Sequence, residues 1–213
     1  MTENHILVGL GGTGGKVLKA FKKRLFQEYN QDERNALPIG FIYVDSTIEM
    51  MRPNDSTWYV LGENAQFTED EFVNIKGIDI NAVLANPKSY PGVTGLIGDG
   101  EMMRKTLGEV GAAAAQKRRA GRILFGSNIE KYKSAVIKKF EEISKRSKAT
   151  RTNIYIFTGL AGGTGSGSII DVIAQTRMIP QFREELSQDG KCGTGIVINA
   201  MVPELNPPGK SDA

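Results

Sequence analysis

The chain has 213 residues, 40% of them hydrophobic and 24% charged, which is the balance of a single globular domain with a substantial core. A net charge of +3 makes no case for nucleic acid or a membrane surface as partner, and no apolar run approaches the roughly 20 residues of a membrane-spanning helix. The single cysteine, Cys192, excludes an internal disulfide framework and fits a reducing compartment. The chain enters its first strand almost at once, leaving no room for a signal peptide, so a cytoplasmic location without a membrane anchor is expected.

His5 to Leu10 reads as the first strand. Five glycines follow or close it (Gly9, Gly11, Gly12, Gly14, Gly15), and a helix comes next with Val17, Leu18, Phe21, Leu25 and Tyr29 on one face. Ile39 to Ser46 reads as a buried second strand ending in Asp45, and Ser56 to Glu63 as a short third. Residues from Asn64 to about Gly111 are rich in Gly, Pro, Asn and Asp. They read as an irregular insertion with helical pieces near Glu69–Val73 and Glu101–Leu107. A long helix then buries Ile129, Tyr132, Val136, Phe140 and Ile143. Asn153 to Thr158 is the fourth main strand, Ser168 to about Met178 its helix, and Gly195 to Val202 a fifth strand.

Strands that are apolar on both faces and alternate with helices argue a mostly parallel sheet covered on both sides. The expected fold is α/β, a doubly wound, Rossmann-like, three-layer domain over residues 1–213. In the common strand order 3-2-1-4-5, the first and fourth strands are neighbours at the switch point. Those are the strands that end in glycine clusters. The second cluster holds Gly159, Gly162, Gly163, Gly165 and Gly167. A phosphate needs several backbone N–H donors at close range, and glycine lets the backbone approach. One such cluster is equally well a tight turn. Two on one crevice point to a phosphorylated ligand held from both sides.

Three phosphate-binding patterns compete. The P-loop pattern fails, because Leu10 stands at its first glycine and Val17 follows Lys16 where a hydroxyl belongs. Gly9, Gly11 and Gly14 match the dinucleotide pattern, but Asp45 lies too far beyond them for the usual spacing of roughly 20 residues, and the second loop is left unexplained. The third pattern accounts for both loops. Ala161 to Gly167, AGGTGSG, after a strand and before a helix, closely resembles the signature loop of the tubulin and FtsZ superfamily of GTPases. The order of the remaining motifs agrees, and the resemblance spans the chain as the nucleotide-binding half of that family. The long stretch before Gly111 and the basic KRRAGR fit a divergent bacterial tubulin-like group best.

The resemblance implies a site for GTP or GDP with Mg²⁺. Gly11, Gly12, Thr13 and Gly14 would meet phosphates from the first loop, and Gly162, Gly163, Thr164, Gly165 and Ser166 would wrap the α- and β-phosphates. Asp45 would sit near the γ-phosphate and its Mg²⁺, Gly111, Ala112 and Ala113 would form the γ-phosphate-sensing loop, and Glu204 would meet the ribose. The family also implies self-association into filaments or oligomers. Its GTPase activity depends on an acidic loop from a neighbouring subunit, and that loop, the central helix and a second domain would lie beyond Ala213. A scaffold that assembles without hydrolysis and an NAD(P)-binding Rossmann module remain alternatives. Arg118, Arg119 and Arg122 are expected on a solvated helix face, with reach to a phosphate as the alternative, and the only histidine, His5, at an exposed strand start.

Overall fold

The computed structural model describes residues 3–90, 92–93, 95, 100–107, 117–147, 149, 151–184 and 194–201. Its centre is a five-stranded sheet built from β1 (Glu3–Leu10), β2 (Ile39–Asp45), β5 (Phe72–Asn74), β6 (Arg151–Gly159) and β7 (Thr194–Met201), in the order β5-β2-β1-β6-β7. Every pairing in it is parallel: β1 lies against β2 from His5↔Ile39 to Leu10↔Val44, and against β6 from Glu3↔Arg151 to Leu10↔Thr158. The chain winds outward from β1 through β2 to one edge and from β6 to β7 at the other. This is the doubly wound order expected, with β1 and β6 adjacent at the point of reversal.

The alternation of side chains along the strands sorts the core into two layers. Ile6, Val8 and Leu10 of β1, with Ile42 and Val44 of β2 and Ile154 and Ile156 of β6, point to one face. There they meet α3 (Ile80–Ala85), α5 (Arg118–Gly126), α6 (Ile129–Arg146) and α7 (Gly163–Arg177). Leu7, Phe41 and Tyr43 point to the other face, under α1 (Gly11–Glu28). The apolar stripe of α6 behaves as its spacing predicts, with Tyr132, Val136 and Ile143 fully buried and Ile129 and Phe140 packed beside them. On α1 the stripe is thinner: Leu18 is fully buried while Phe21 is 41% exposed.

The third strand lies elsewhere than the sequence suggests. Ser56–Trp58 is a single 3₁₀ turn, and Tyr59–Val60 (β3) pairs with Glu63–Asn64 (β4) in a separate antiparallel hairpin. Leu61 and Gly62 make its turn at positive φ, 49° and 87°. This segment alternates: Trp58 and Val60 are buried, Tyr59 is half exposed and Leu61 points to solvent. Such a strand suits a lid on one face, where Trp58, Val60, Ala65 and Phe67 cover Tyr43. The position at the edge of the main sheet goes to Phe72–Asn74, inside the stretch read as an insertion. A 3₁₀ turn at Glu69–Glu71 leads into it in place of the helix expected there, whereas α4 (Gly100–Leu107) does form. Val73, Ile75, Ile80, Val83 and Leu84 from the same stretch belong to the larger core.

Candidate functional site

At the carboxyl end of β1 the chain passes directly into α1 at Gly11, and from the end of β6 a three-residue turn, Leu160 to Gly162, leads into α7 at Gly163. The residues ahead of them, Leu10 and Gly162, are both extended, and neither caps its helix with a side-chain hydrogen bond. Neither helix carries an acidic residue in its first turn. Each N-terminus therefore keeps its unpaired amide N–H groups and the positive end of its dipole for something else. Both line one crevice of about 340 Å³, together with Thr13, Gly159, Thr164 and Gly165, and with Asp45, Ser46, Thr47 and Glu49 from the end of β2.

The glycines of the two loops divide by job. Gly12 and Gly162 have nothing within 4 Å of where a Cβ would stand, so both leave backbone open to the crevice. Gly11 holds φ +66°, which side chains rarely adopt, and its missing Cβ would stand 3.1 Å from the Gly165 nitrogen. The two loops thus touch there. Three more are held by close packing, whether or not they also line the crevice. A Cβ on Gly14 would stand 2.4 Å from the Phe157 carbonyl oxygen, and one on Gly165 would stand 2.4 Å from the Thr158 hydroxyl. One on Gly15 would enter the Tyr43 ring.

The acidic wall is ordered by hydrogen bonds. Asp45 is 4% exposed and accepts from the Tyr43 hydroxyl (2.5 Å), the Ser46 N–H (2.7 Å), the Thr47 hydroxyl (3.2 Å) and the Thr164 hydroxyl (3.2 Å). Ser46 Oγ lies 3.1 Å from Thr164 Oγ1, adding a second tie between the end of β2 and the start of α7. Burial and the neighbouring Asp45 carboxylate hold the Tyr43 hydroxyl far above its ordinary pKa, so it stays a neutral donor. The Asp45 carboxylate is left with little room for direct coordination of a metal, and no group of three or more candidate metal-ligating side chains occurs among the described residues.

Of the residues singled out from the sequence, Gly11, Gly12, Thr13, Asp45, Gly162, Gly163, Thr164 and Gly165 come together in the crevice. Gly14 does not line it and packs α1 onto β6. Ser166 does not line it either, because its hydroxyl donates back to the Gly162 carbonyl. Gly111, Ala112, Ala113 and Glu204, and also Cys192, lie outside the described residues. Gly159, a member of the second glycine cluster, lines it as well, and Ser46, Thr47 and Glu49 line the wall without having been expected. Only their adjacency in sequence to Asp45 pointed to them. Arg118, Arg119 and Arg122 are exposed, as expected of a solvated face, but Arg122 also forms a two-pronged pair with Asp171 on α7 (2.7 and 3.0 Å) and Arg118 donates to the Leu160 carbonyl (3.0 Å).

The fold and crevice define a doubly wound α/β domain with two glycine-led helix N-termini at one switch point. A family model described as tubulin-like matches residues 6–212, and the chain belongs to that family. Among solved structures, CetZ1 from Haloferax volcanii, described as a GDP-bound monomer, is similar at 17% identity and a TM-score of 0.40. That similarity covers 85% of this chain, which spans 38% of the CetZ1 chain. No curated protein matches the sequence. Among the described residues, no helix is long and apolar enough to cross a membrane.

Proposed function

We propose that the crevice binds the phosphates of a guanine nucleotide, GTP or GDP, and that the bound nucleotide controls self-association of the chain. The observation that carries this reading is the pair of uncapped helix N-termini at Leu10–Gly11 and Gly162–Gly163, facing one crevice of about 340 Å³. Backbone N–H groups and two aligned dipoles suit a di- or triphosphate. Membership of the tubulin-like family supports the guanine base and the assembly.

In this reading the open backbone at Gly12 and Gly162 approaches phosphate oxygens, and Gly11 and Thr13 complete the first grip. Thr164 is pinned by Asp45 and Ser46, so the second loop is organised before ligand arrives. Asp45 and Glu49 form the anionic side on which a hydrated Mg²⁺ would balance the phosphate charge. A bound metal would neutralise charge on the phosphates, and Asp45 would hold its waters by accepting hydrogen bonds. Hydrolysis, where it occurs, takes its water-orienting acid from a neighbouring subunit, as the family resemblance implies.

The test is to denature purified protein and resolve what it releases by chromatography. GDP or GTP is the expected result. NAD in its place overturns the reading, and an empty protein that still assembles favours the non-hydrolysing scaffold.

A further inference from the structure

Arg118 opens α5 outside the crevice, yet its Nη2 donates to the Leu160 carbonyl at 3.0 Å, in the turn that joins β6 to the signature loop. Its reach is set by how tightly α5 sits on α7. A Cβ on Gly167 would stand 2.2 Å from the Arg118 carbonyl oxygen, and one on Gly121 would stand 2.1 Å from the Gly163 carbonyl oxygen. One helical turn further along α5, Arg122 grips Asp171 of α7 through Nε and Nη2. Glycine contacts and the Arg122 fork therefore fix the base from which Arg118 holds the turn.

The peptide between Leu160 and Ala161 is trans and planar, so its C=O and N–H point in opposite directions. With the carbonyl drawn toward α5, the Ala161 N–H faces away from α5. We propose that Arg118 is a positioning residue of the phosphate site. By holding the Leu160 carbonyl it fixes the Leu160–Ala161 peptide, and with it the turn that leads into the crevice-lining Gly162, without touching the nucleotide itself. This inference rests on the phosphate-binding reading of the crevice.

The test compares Arg118→Met with Arg119→Met, which removes the same charge one residue along the exposed start of α5. GDP and GTP affinities are measured by titration with fluorescent analogues, with thermal melts to confirm folding. Loss of a charge-assisted positioning bond is expected to weaken both nucleotides about tenfold in Arg118→Met. Arg119→Met is expected to stay near wild type, and Arg118→Lys to regain part of the loss. The Ala161 amide resonance of the nucleotide-free protein should move in Arg118→Met and not in Arg119→Met. Equal losses in the two methionine variants, or a loss confined to GTP, overturn the positioning role. Wild-type binding with unchanged affinity in Arg118→Met overturns this inference alone. A wild-type chain that binds no GDP overturns the phosphate reading and this inference with it.

Discussion

The Thr164 hydroxyl donates to Asp45 Oδ1 at 3.2 Å, joining residues 119 positions apart at the end of β2 and the start of α7. Asp45 is 4% exposed and Thr164 6% exposed, so the bond lies where water does not readily replace it. Thr164→Val keeps the shape and removes the donor. It should cost about 1–3 kcal/mol in urea unfolding, because a buried carboxylate then lacks one partner. It should also weaken nucleotide binding, since the loop start loses its tie to β2. A wild-type stability in the variant would show that the remaining donors satisfy Asp45 on their own.

Two glycines separate binding from folding. Gly162 has an ordinary extended backbone (φ −75°, ψ 161°) and open space at its Cβ position, so Gly162→Val should fold normally. Its branched side chain would occupy the crevice and should lower nucleotide affinity by more than tenfold, by titration. Gly14→Ala should do the reverse. Its Cβ would stand 2.4 Å from the Phe157 carbonyl oxygen, so α1 must lift off β6. The cost should be about 1–3 kcal/mol, as in other overpacked sites, seen as a lower melting temperature. Equal melting curves for the two variants would refute this division.

That division marks how far the sequence could be read. The glycine clusters, their placement on adjacent strands and the strand order followed from periodicity and chain order alone. Which glycines face ligand did not, because Gly12 and Gly14 look alike until α1 is laid against the Phe157 carbonyl. The edge strand was hidden because Phe72–Asn74 is only three residues long and sits among turn-forming residues. Trp58–Val60 displaced it in the reading, since an aromatic and β-branched run resembles a sheet strand until Tyr59 and Leu61 prove exposed. The Arg118–Leu160 bond spans 42 residues and ends on a main-chain oxygen, for which no side-chain pattern exists.

Tyr43 makes alkaline stability informative. Burial and the Asp45 carboxylate raise its pKa far above the ordinary 10.0, so the folded protein keeps a proton that the unfolded chain releases. Stability must fall as pH rises past 10, because there the unfolded state binds fewer protons than the folded one. Tyr43→Phe abolishes that contribution. Its unfolding free energy should fall less steeply above pH 10 than that of the wild type, although it starts lower for want of the hydrogen bond to Asp45. Parallel slopes in denaturant titrations from pH 9 to 11 would refute the assignment.

Lys22 has the opposite sign. It lies 8% exposed on α1 and pairs with Glu71, itself 9% exposed, ahead of the edge strand. The Lys22 ammonium also stands over the rings of Phe41 and Phe67, at 5.6 and 5.4 Å from their centroids. Burial lowers the Lys22 pKa and Glu71 opposes that shift. Glu71→Gln leaves the charge among aromatic rings with the Gln66 carbonyl (3.1 Å) but no counter-charge, and should cost about 3 kcal/mol at pH 7. Without Glu71 the folded-state pKa drops further, so between that value and the ordinary 10.5 the unfolded chain binds more protons than the folded one. The variant should therefore regain stability as pH rises through that interval, whereas the wild type should regain less. Adding Lys22→Met removes the stranded charge, and the double variant should recover most of the loss at pH 7 with a flatter pH dependence. If the double variant stays as unstable as Glu71→Gln, the loss comes from the second bond of Glu71, which accepts from the Thr68 N–H at 2.9 Å and caps the turn into β5.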